Sequence, residues 1–160
     1  MPDKKIKKIA ELKEIVENLK REGGKIVFTN GCFDLLHIGH INYLKKAQKQ
    51  GDILIIGLNS DSSVKKIKEK GRPIIPQSER ARILAALEFV DFVTIFEEQI
   101  PLNLIKKIKP NVLVKGGDWK RKEVVGSDFV KSYGGKTLVV PFTKGKSTSL
   151  IIERIRRCKK

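Results

Sequence analysis

The segment from Lys25 to His40 constrains the fold of this chain more than any other part of its sequence. It begins with a run of β-branched and aromatic residues, passes through a polar corner that contains Gly31, and continues with apolar residues at helical spacing. This pattern predicts a buried strand, a tight turn and the start of a helix. In an open parallel sheet such a corner faces the crevice where ligands bind, and the first amides of the helix point towards an anion.

The histidines of the chain, His37 and His40, both lie at this corner. At this spacing we expect them on one face of the first helical turn, where both can reach the same ligand. A lone buried histidine is usually part of a core. The pairing of the only two histidines beside a strand–helix corner instead favours a functional role.

The order of the apolar segments predicts an α/β fold. Strands alternate with helices five times, and right-handed crossovers between them give a Rossmann-like, doubly wound, five-stranded parallel sheet with helices on both faces. The length fits one domain, 1–160, with an N-terminal helix at about 5–21. Two later helices are expected to begin at Ser78 and at Val124. The apolar side of the first of them includes Ile83, Leu84 and Leu87.

Composition narrows the classes of partner. The net charge of +16 suits nucleic acid, an acidic membrane surface or small anionic substrates. The lysines are spread along the predicted helices without an arginine-rich stripe or a row of aromatic residues, which favours solvated helix faces over a nucleic-acid surface. No apolar run approaches the roughly 20 residues of a membrane span. We therefore expect a cytoplasmic protein with no membrane or nucleic-acid partner.

Polar side chains follow the second predicted strand, at the edge of the sheet where the crevice is expected. Asn59 and Asp61 come directly after this strand, and a lysine-rich segment, 65–70, leads from there to Arg72. Solvated charge is the default interpretation of such a run. Because this run enters the crevice edge from a strand end, at least one of its cations is expected to face phosphate.

Two more polar clusters are predicted at the same edge. The segment 115–119 brings together a lysine, two glycines, an aspartate and the only tryptophan, which favours a phosphate-facing cation with close backbone approach over a purely structural turn. Ser147 and Thr148 begin the final helix, where hydroxyls and amides can meet a second phosphate, although capping alone is an equal alternative.

The corner segment also carries a recognisable signature. The pattern Gly31-x-Phe33-Asp34-x-x-His37-Ile38-Gly39-His40 resembles the HIGH motif of the nucleotidyltransferase superfamily, which includes cytidylyltransferases, several adenylyltransferases and class I aminoacyl-tRNA synthetases. Over about residues 5–157 the chain resembles one branch, the adenylyltransferases that make ADP-heptose from D-glycero-β-D-manno-heptose 1-phosphate. The resemblance extends to the segments 28–37, 59–61, 72–73, 85–88, 114–118, 125–126 and 145–148.

The resemblance implies transfer of AMP from ATP to a heptose 1-phosphate, giving ADP-heptose and pyrophosphate for lipopolysaccharide core synthesis. It implies that Mg²⁺ arrives with ATP, with Asp34 as a protein contact, and that the protein forms a homodimer or larger homo-oligomer. Implied catalytic residues are His37, His40, Lys68 and Lys115, and implied sugar-phosphate contacts are Lys115, Arg72 and Trp119. Implied nucleotide contacts are Thr29, Asn30, Gly31, Cys32, Phe33, Asp34, Gly39, Asn59, Asp61, Gly116, Asp118, Ser147 and Thr148.

Two alternatives remain open at this point. Glycerol-phosphate cytidylyltransferases look similar overall, but where they carry Arg-Tyr-Val-Asp this chain has 88–91, Glu-Phe-Val-Asp. In that family the arginine packs on cytosine, and Glu88 cannot replace it, so the expectation is ATP over CTP. A cytidylyltransferase for glycerol 3-phosphate or another small phosphate is the first alternative. A basic nucleic-acid-binding module is the more distant one.

Overall fold

The computed structural model describes residues 2–117, 124–141 and 143–158. Within these ranges all strands belong to one parallel sheet with the order β3-β2-β1-β4-β5, which confirms the predicted five-stranded parallel sheet. The strands are β1 (Ile26–Gly31), β2 (Ile53–Asn59), β3 (Phe92–Phe96), β4 (Val112–Gly116) and β5 (Lys136–Val140). The helices are α1 (Ile9–Arg21), α2 (Ile38–Gln48), α3 (Asp61–Ile67), α4 (Gln77–Ala85), α5 (Leu102–Ile108), α6 (Ser127–Ser132) and α7 (Thr148–Arg157).

Successive residues of the central strand β1 face opposite sides of the sheet and fill two cores. Ile26 and Phe28 are fully buried among side chains of α1 and α5. Val27, between them, is fully buried among side chains of α2 and α4. Both faces of the sheet therefore carry helices, as expected for a parallel sheet whose strands are apolar on both sides.

The contact between β1 and β4 is short, and we call it the central seam. Register pairs join these strands at Val27–Val112 and Phe28–Leu113, whereas β1 pairs with β2 along its whole length. The chain leaves β1 towards one edge of the sheet and enters β4 on its way to the other edge. A parallel sheet binds its ligands outside the carboxyl ends of the strands at such a switch point.

The N-terminal helix begins later than its apolar pattern suggests. It was predicted at about 5–21, but α1 begins at Ile9 and is preceded by a 3₁₀ turn over Pro2–Lys5. Ile6 forms a parallel bridge with Val93, and the Lys7 N–H donates to the Val93 carbonyl at 2.9 Å. These residues lie along the otherwise unpaired edge of β3, and this tertiary pairing prevails over their helical spacing.

Two other helices differ from the sequence expectation. The buried side of α4 contains Arg80, Ala81 and Leu84, whereas Ile83, predicted on that side, is 40% exposed. The helix expected to begin at Val124 begins at Ser127 instead. Gly126, at its N-cap, has a φ of +87°, which is outside the helical region.

Candidate active site

The two histidines are fixed by the backbone at the start of α2. His37 is the N-cap, and its Nδ1 accepts a hydrogen bond from the Gly39 N–H at 3.1 Å. His40 Nδ1 in turn accepts from the His37 N–H at 3.4 Å, and the two rings stack with centroids 3.9 Å apart. Because each Nδ1 is an acceptor, each neutral ring carries its proton on Nε2. The pair therefore presents two Nε2–H donors.

Gly39 is needed because the His37 ring folds over it. A Cβ at this position would lie 2.8 Å from His37 Cε1 and 3.3 Å from the Cβ of Lys146. The second of these distances also shows that the turn before α7 lies against the start of α2. Two helix N-termini therefore meet beside the histidines, and the amides of both are available to an anion.

Both imidazoles are neutral near pH 7. Burial and, to a smaller extent, the neighbouring His37 together lower the pKa of His40 to about 4. Burial and the charge of Lys146 lower the pKa of His37. The pair acts as neutral hydrogen-bond donors, so the cationic charge of the site must come from other side chains.

We expect the histidine resonances to report this arrangement directly. In ¹⁵N-histidine-labelled protein, His40 should titrate with a midpoint of about 4, and both rings should be Nε2–H tautomers. Because this folded pKa lies below the ordinary value of 6.5, neutral His40 contributes stability above pH 6.5 that is lost as the pH falls towards 4. The chain has two histidines, so a His37→Gln variant assigns both signals. Midpoints near 6.5 for both would contradict the buried, stacked geometry.

Lysine side chains supply the cationic charge of the crevice. Lys115, at the end of β4, donates to the Asn30 Oδ1 at the end of β1, at 3.0 Å. Burial lowers the pKa of Lys115, and the positive charge of the exposed Lys68 lowers it further. Burial raises the pKa of the Cys32 thiol, although the charges of Lys68 and Lys115 act in the opposite direction. Lys68 and Lys115 thus lie close enough to act on the same thiol and on each other.

Asp34 is occupied by donors of the protein itself. Its carboxylate accepts from Arg72 Nε at 2.5 Å and from the backbone N–H groups of Ile74 and Ile75 at 2.9 Å. Burial acts to raise the pKa of Asp34, but these two amides and the guanidinium hold it below its ordinary value. Asp34 and Arg72 are 2% and 8% exposed, respectively. The buried pair fixes the segment 72–75 against the corner before His37.

The described residues do not fit a protein-built metal site. They contain no group of three or more His, Cys, Asp or Glu side chains that could hold an ion. Both oxygens of Asp34 already accept hydrogen bonds from Arg72 and the backbone. A metal ion that arrived with a phosphate-containing ligand would therefore be held here chiefly by the oxygens of that ligand.

Three side chains that were predicted to contact the nucleotide form hydrogen bonds with other protein groups. The Thr29 hydroxyl is fully buried and shares a hydrogen bond with the Tyr43 hydroxyl. The Asn59 amide donates to Ser63 Oγ at 2.9 Å, and Asp61 Oδ1 accepts from the Arg80 guanidinium at 2.7 Å. Their side chains thus shape the strand ends, and their contact with nucleotide stays a prediction.

The start of α7 is bonded to the segment just before His37. Ser147 is its N-cap, and the hydroxyl accepts from the Leu150 N–H at 3.1 Å. The Thr148 hydroxyl donates to the Leu35 carbonyl at 3.2 Å. Both hydroxyls therefore position the second helix N-terminus. Beyond β4, the Gly117 N–H donates to the Val140 carbonyl at 3.1 Å. Asp118 and Trp119 lie outside the described residues.

Sequence reasoning missed two side chains that shape the site. Arg80 is 1% exposed and reaches the ends of β1 and β2. The Tyr43 hydroxyl contacts Thr29 and donates to the Val114 carbonyl at 3.2 Å, so it ties α2 to both strands of the central seam. Arg80 does carry a signal, because it stands four residues before Leu84 on the side of α4 that is buried.

Glu88 lies away from the crevice. It is exposed in the connection from α4 to β3, and β3 begins at Phe92. This connection is at the amino ends of the strands, whereas the histidines and Lys115 are at the carboxyl ends. Within one chain, Glu88 therefore cannot face a base bound beside His37, and the argument from Glu88 for ATP over CTP does not hold.

Comparison with known proteins identifies the class. The sequence model of the cytidylyltransferase-like family matches residues 28–154, which include both histidines, β4 and the start of α7. The chain therefore belongs to the cytidylyltransferase-like family, which confirms the resemblance seen in the sequence. Among the described residues, no helix is both long enough and apolar enough to cross a membrane.

Curated relatives indicate a particular branch. The chain is 56% identical over 155 residues to the bifunctional protein HldE of Geobacter metallireducens, an alignment that covers 97% of this chain and 32% of that protein. It is 55% identical over 153 residues to bifunctional protein HldE of Nitratiruptor sp., covering 96% of this chain and 32% of the relative. The chain thus spans about a third of the length of these relatives.

Solved structures agree on the fold. The lipopolysaccharide core biosynthesis protein from Thermoplasma volcanium is 28% identical, with a TM-score of 0.64 over 78% of this chain and 100% of that one. Pantoate-beta-alanine ligase from Francisella tularensis has a TM-score of 0.63 over 90% of this chain and 68% of that one. At 19% identity, the second likeness is one of fold alone.

Proposed function

We propose that this chain is an adenylyltransferase that transfers AMP from ATP to a sugar 1-phosphate, with D-glycero-β-D-manno-heptose 1-phosphate as the acceptor. The products are ADP-heptose and pyrophosphate, for lipopolysaccharide core synthesis. The observation that carries the chemistry is the neutral histidine pair at the start of α2, with Lys115 across the central seam. The 56% identity with bifunctional protein HldE supports the choice of branch.

The reaction needs alignment and charge neutralisation more than a base. A phosphate monoester has a second pKa of about 6, so the attacking oxygen is already largely ionised at neutral pH. That oxygen forms a bond to the α-phosphorus of ATP, and the bond from the α-phosphorus to the bridging oxygen breaks, so that pyrophosphate leaves with the electron pair. Negative charge builds on the α-phosphate and on the leaving group, and donors aimed at those oxygens lower the barrier.

Each cluster of the site has a task in this scheme. The Nε2–H groups of His37 and His40 donate to oxygens of the α- and β-phosphates. Lys68 neutralises phosphate charge from the opposite side, and Lys115 binds the phosphate of the sugar. The amides at the starts of α2 and α7 bind the triphosphate. ATP would enter as its Mg²⁺ complex, and its phosphate oxygens rather than protein side chains would supply most ligands of the ion.

The remaining predicted contacts are assigned by position. Asn30, Gly31, Cys32 and Phe33 follow one another at the end of β1 and line the nucleotide. Asp34 and Arg72 bind each other, and we assign both to holding the crevice wall, with Arg72 behind the sugar phosphate. Contacts from Gly116, Asp118 and Trp119, and assembly as a homodimer or larger homo-oligomer, stay predictions.

The proposal is tested by pyrophosphate release from four nucleoside triphosphates against a panel of sugar phosphates and glycerol 3-phosphate, with Mg²⁺. We expect release from ATP with the heptose 1-phosphate, and ADP-heptose as the second product. A site whose buried polar groups are left unpaired by the wrong substrate can discriminate by about 10⁴-fold in kcat/KM. Because Lys115 is a fixed cation, the unphosphorylated heptose should be a poor acceptor, and Lys115→Ala should weaken use of the sugar phosphate more than ATP binding.

Two outcomes would contradict the proposal in different ways. Efficient CTP turnover with glycerol 3-phosphate, and none with ATP and the heptose 1-phosphate, would overturn the branch but not the class. Salt-dependent micromolar binding to RNA or DNA, without pyrophosphate release from any triphosphate, would favour the nucleic-acid-binding alternative.

A further inference from the structure

A buried arginine joins four segments of the crevice wall. The side chain of Arg80, on α4, is fully buried. Its guanidinium donates to the carbonyl oxygens of Cys32, of Asn59 at 3.0 Å and of Ile75 at 2.9 Å, and to the Asp61 carboxylate at 2.7 Å. A buried charge is tolerated when its hydrogen bonds are made in good geometry, as they are here. Arg80 thereby links the ends of β1 and β2 to the starts of α3 and α4.

The Cys32 carbonyl is the contact nearest to the histidines along the chain. The next residue, Phe33, has a φ of +44°, in the left-handed region that bulky side chains avoid. Such a conformation persists only where the surroundings impose it. A hydrogen bond from Arg80 to the Cys32 carbonyl fixes the plane of the peptide between Cys32 and Phe33, and so helps to impose that φ.

The Phe33 ring carries this constraint to the site. It is 5% exposed and lies edge-on to the His40 ring, with centroids 5.4 Å apart. The ring also packs over Gly31, where an added Cβ would lie only 3.0 Å from it, so a glycine at this position lets the ring take its place. An unbroken series of contacts therefore runs from Arg80 through the Cys32–Phe33 peptide to His40.

We propose that Arg80 is a positioning residue that sets the place of the His40 ring through the Cys32–Phe33 peptide and the Phe33 ring. Its effect on turnover rests on the proposed function, in which His40 donates to phosphate. Its effect on the surroundings of His40 does not depend on any substrate. The proposed function can therefore fail while the positioning role of Arg80 holds, and the reverse.

The first test is Arg80→Lys, which keeps the charge but loses the planar fork that reaches several carbonyls at once. We expect kcat to fall by about 10- to 100-fold, because a displacement of about 1 Å in a catalytic group can cost about 100-fold. The KM for ATP should change by less than about twofold, since the loss is confined to the transition state. The His40 titration midpoint should rise from about 4 towards 6.5 as its burial loosens.

Two controls separate positioning from stability. Arg82→Lys is the matched control, because Arg82 lies on the same helix but is exposed and pairs with Asp3 at 3.0 Å. It should change neither kcat nor the His40 midpoint. Leu12→Ala creates a cavity in the core on the α1 side of the sheet and lowers Tm without touching α4. Assayed below its Tm, it should keep the wild-type kcat and His40 midpoint.

A second variant tests the last link without disturbing the buried charge. Phe33→Leu removes the ring that contacts His40, and it should raise the His40 midpoint in the same direction as Arg80→Lys. If Arg80→Lys does not fold, an unchanged midpoint in Phe33→Leu overturns the proposal. If it folds, a lowered Tm with wild-type kcat and midpoint, as in Leu12→Ala, also overturns it. Should the wild type release no pyrophosphate, the proposed function fails while the midpoints still decide the role of Arg80.

Discussion

Replacing His37 by Asn should lower turnover by about 100-fold or more, the size of the loss when one oxyanion donor is removed, while stability stays close to wild type. The structure separates these effects because His37 has two roles. Its Nδ1 caps α2 by accepting from the Gly39 N–H, which leaves its Nε2–H as the donor for a ligand. Asn is a good N-cap and can accept the same amide, but it has no donor at the Nε2 position. Turnover by pyrophosphate release and Tm are the two measurements.

The matched variant is His37→Ala, which loses both roles. It should show the same loss of turnover, together with a loss of about 1 kcal/mol of stability from the missing cap. His40→Ala should also lose about 100-fold in turnover. If His37→Asn keeps near-normal turnover, His37 is only a capping residue, and if His40→Ala does so as well, the histidine pair has no part in the chemistry.

Asp34→Ala should destabilise the fold by about 3–5 kcal/mol, because it leaves the Arg72 guanidinium buried without its partner. The double variant Asp34→Ala with Arg72→Met should recover much of this loss, since it removes the uncompensated charge as well. Urea unfolding at neutral pH measures both. In the wild type the depressed pKa of Asp34 means that its contribution is complete above the ordinary value of 3.8 and is lost as the pH falls below it.

Asp91 provides the control for this prediction. Its carboxylate accepts one amide, the Leu54 N–H, at 2.7 Å, and none of the arginines that the structure describes pairs with it. Asp91→Ala should therefore lose only about 1 kcal/mol, the typical net value of one hydrogen bond. Equal losses in the free energy of unfolding for Asp34→Ala and Asp91→Ala would show that the Asp34–Arg72 ion pair stabilises the fold no more than one ordinary hydrogen bond.

The sequence predicted the features that depend on local pattern. Apolar runs and helical spacing located the strands and the turn before His37. Because parallel sheets bind ligands outside the carboxyl ends of their strands, that turn could also be placed at the crevice. The helix α1 begins later than predicted because Ile6 pairs with Val93, a contact between residues far apart in the chain. Around α4 the prediction was right for Leu84 and Leu87 but wrong for Ile83, and the buried side instead includes Arg80, whose charge would assign it to solvent.

The details of the site depended on contacts that spacing cannot reveal. The sequence placed Asp34 beside the nucleotide, but did not show that Arg72 and two backbone amides would occupy its oxygens. Nor did the sequence reveal the tautomers of His37 and His40, which follow from which backbone N–H each Nδ1 accepts. Glu88 was misjudged because its distance from the crevice follows from the direction in which α4 runs between β2 and β3.

The short central seam has a consequence for how the molecule opens. Ladder pairing joins β1 and β4 at Val27 and Phe28, while bonds from Lys115 to Asn30 and from Tyr43 to Val114 span the remaining length. On its other side β4 pairs with β5 along its whole length, so the sparse backbone bonding is confined to the amides that face the seam, and regions with sparse backbone bonding open at the lowest free energy. Amide exchange should therefore be faster at the residues of β1 and β4 that face each other beyond Phe28 and Leu113 than along the β1–β2 ladder. The native state would then loosen first along the seam, with the β4–β5 pairing intact.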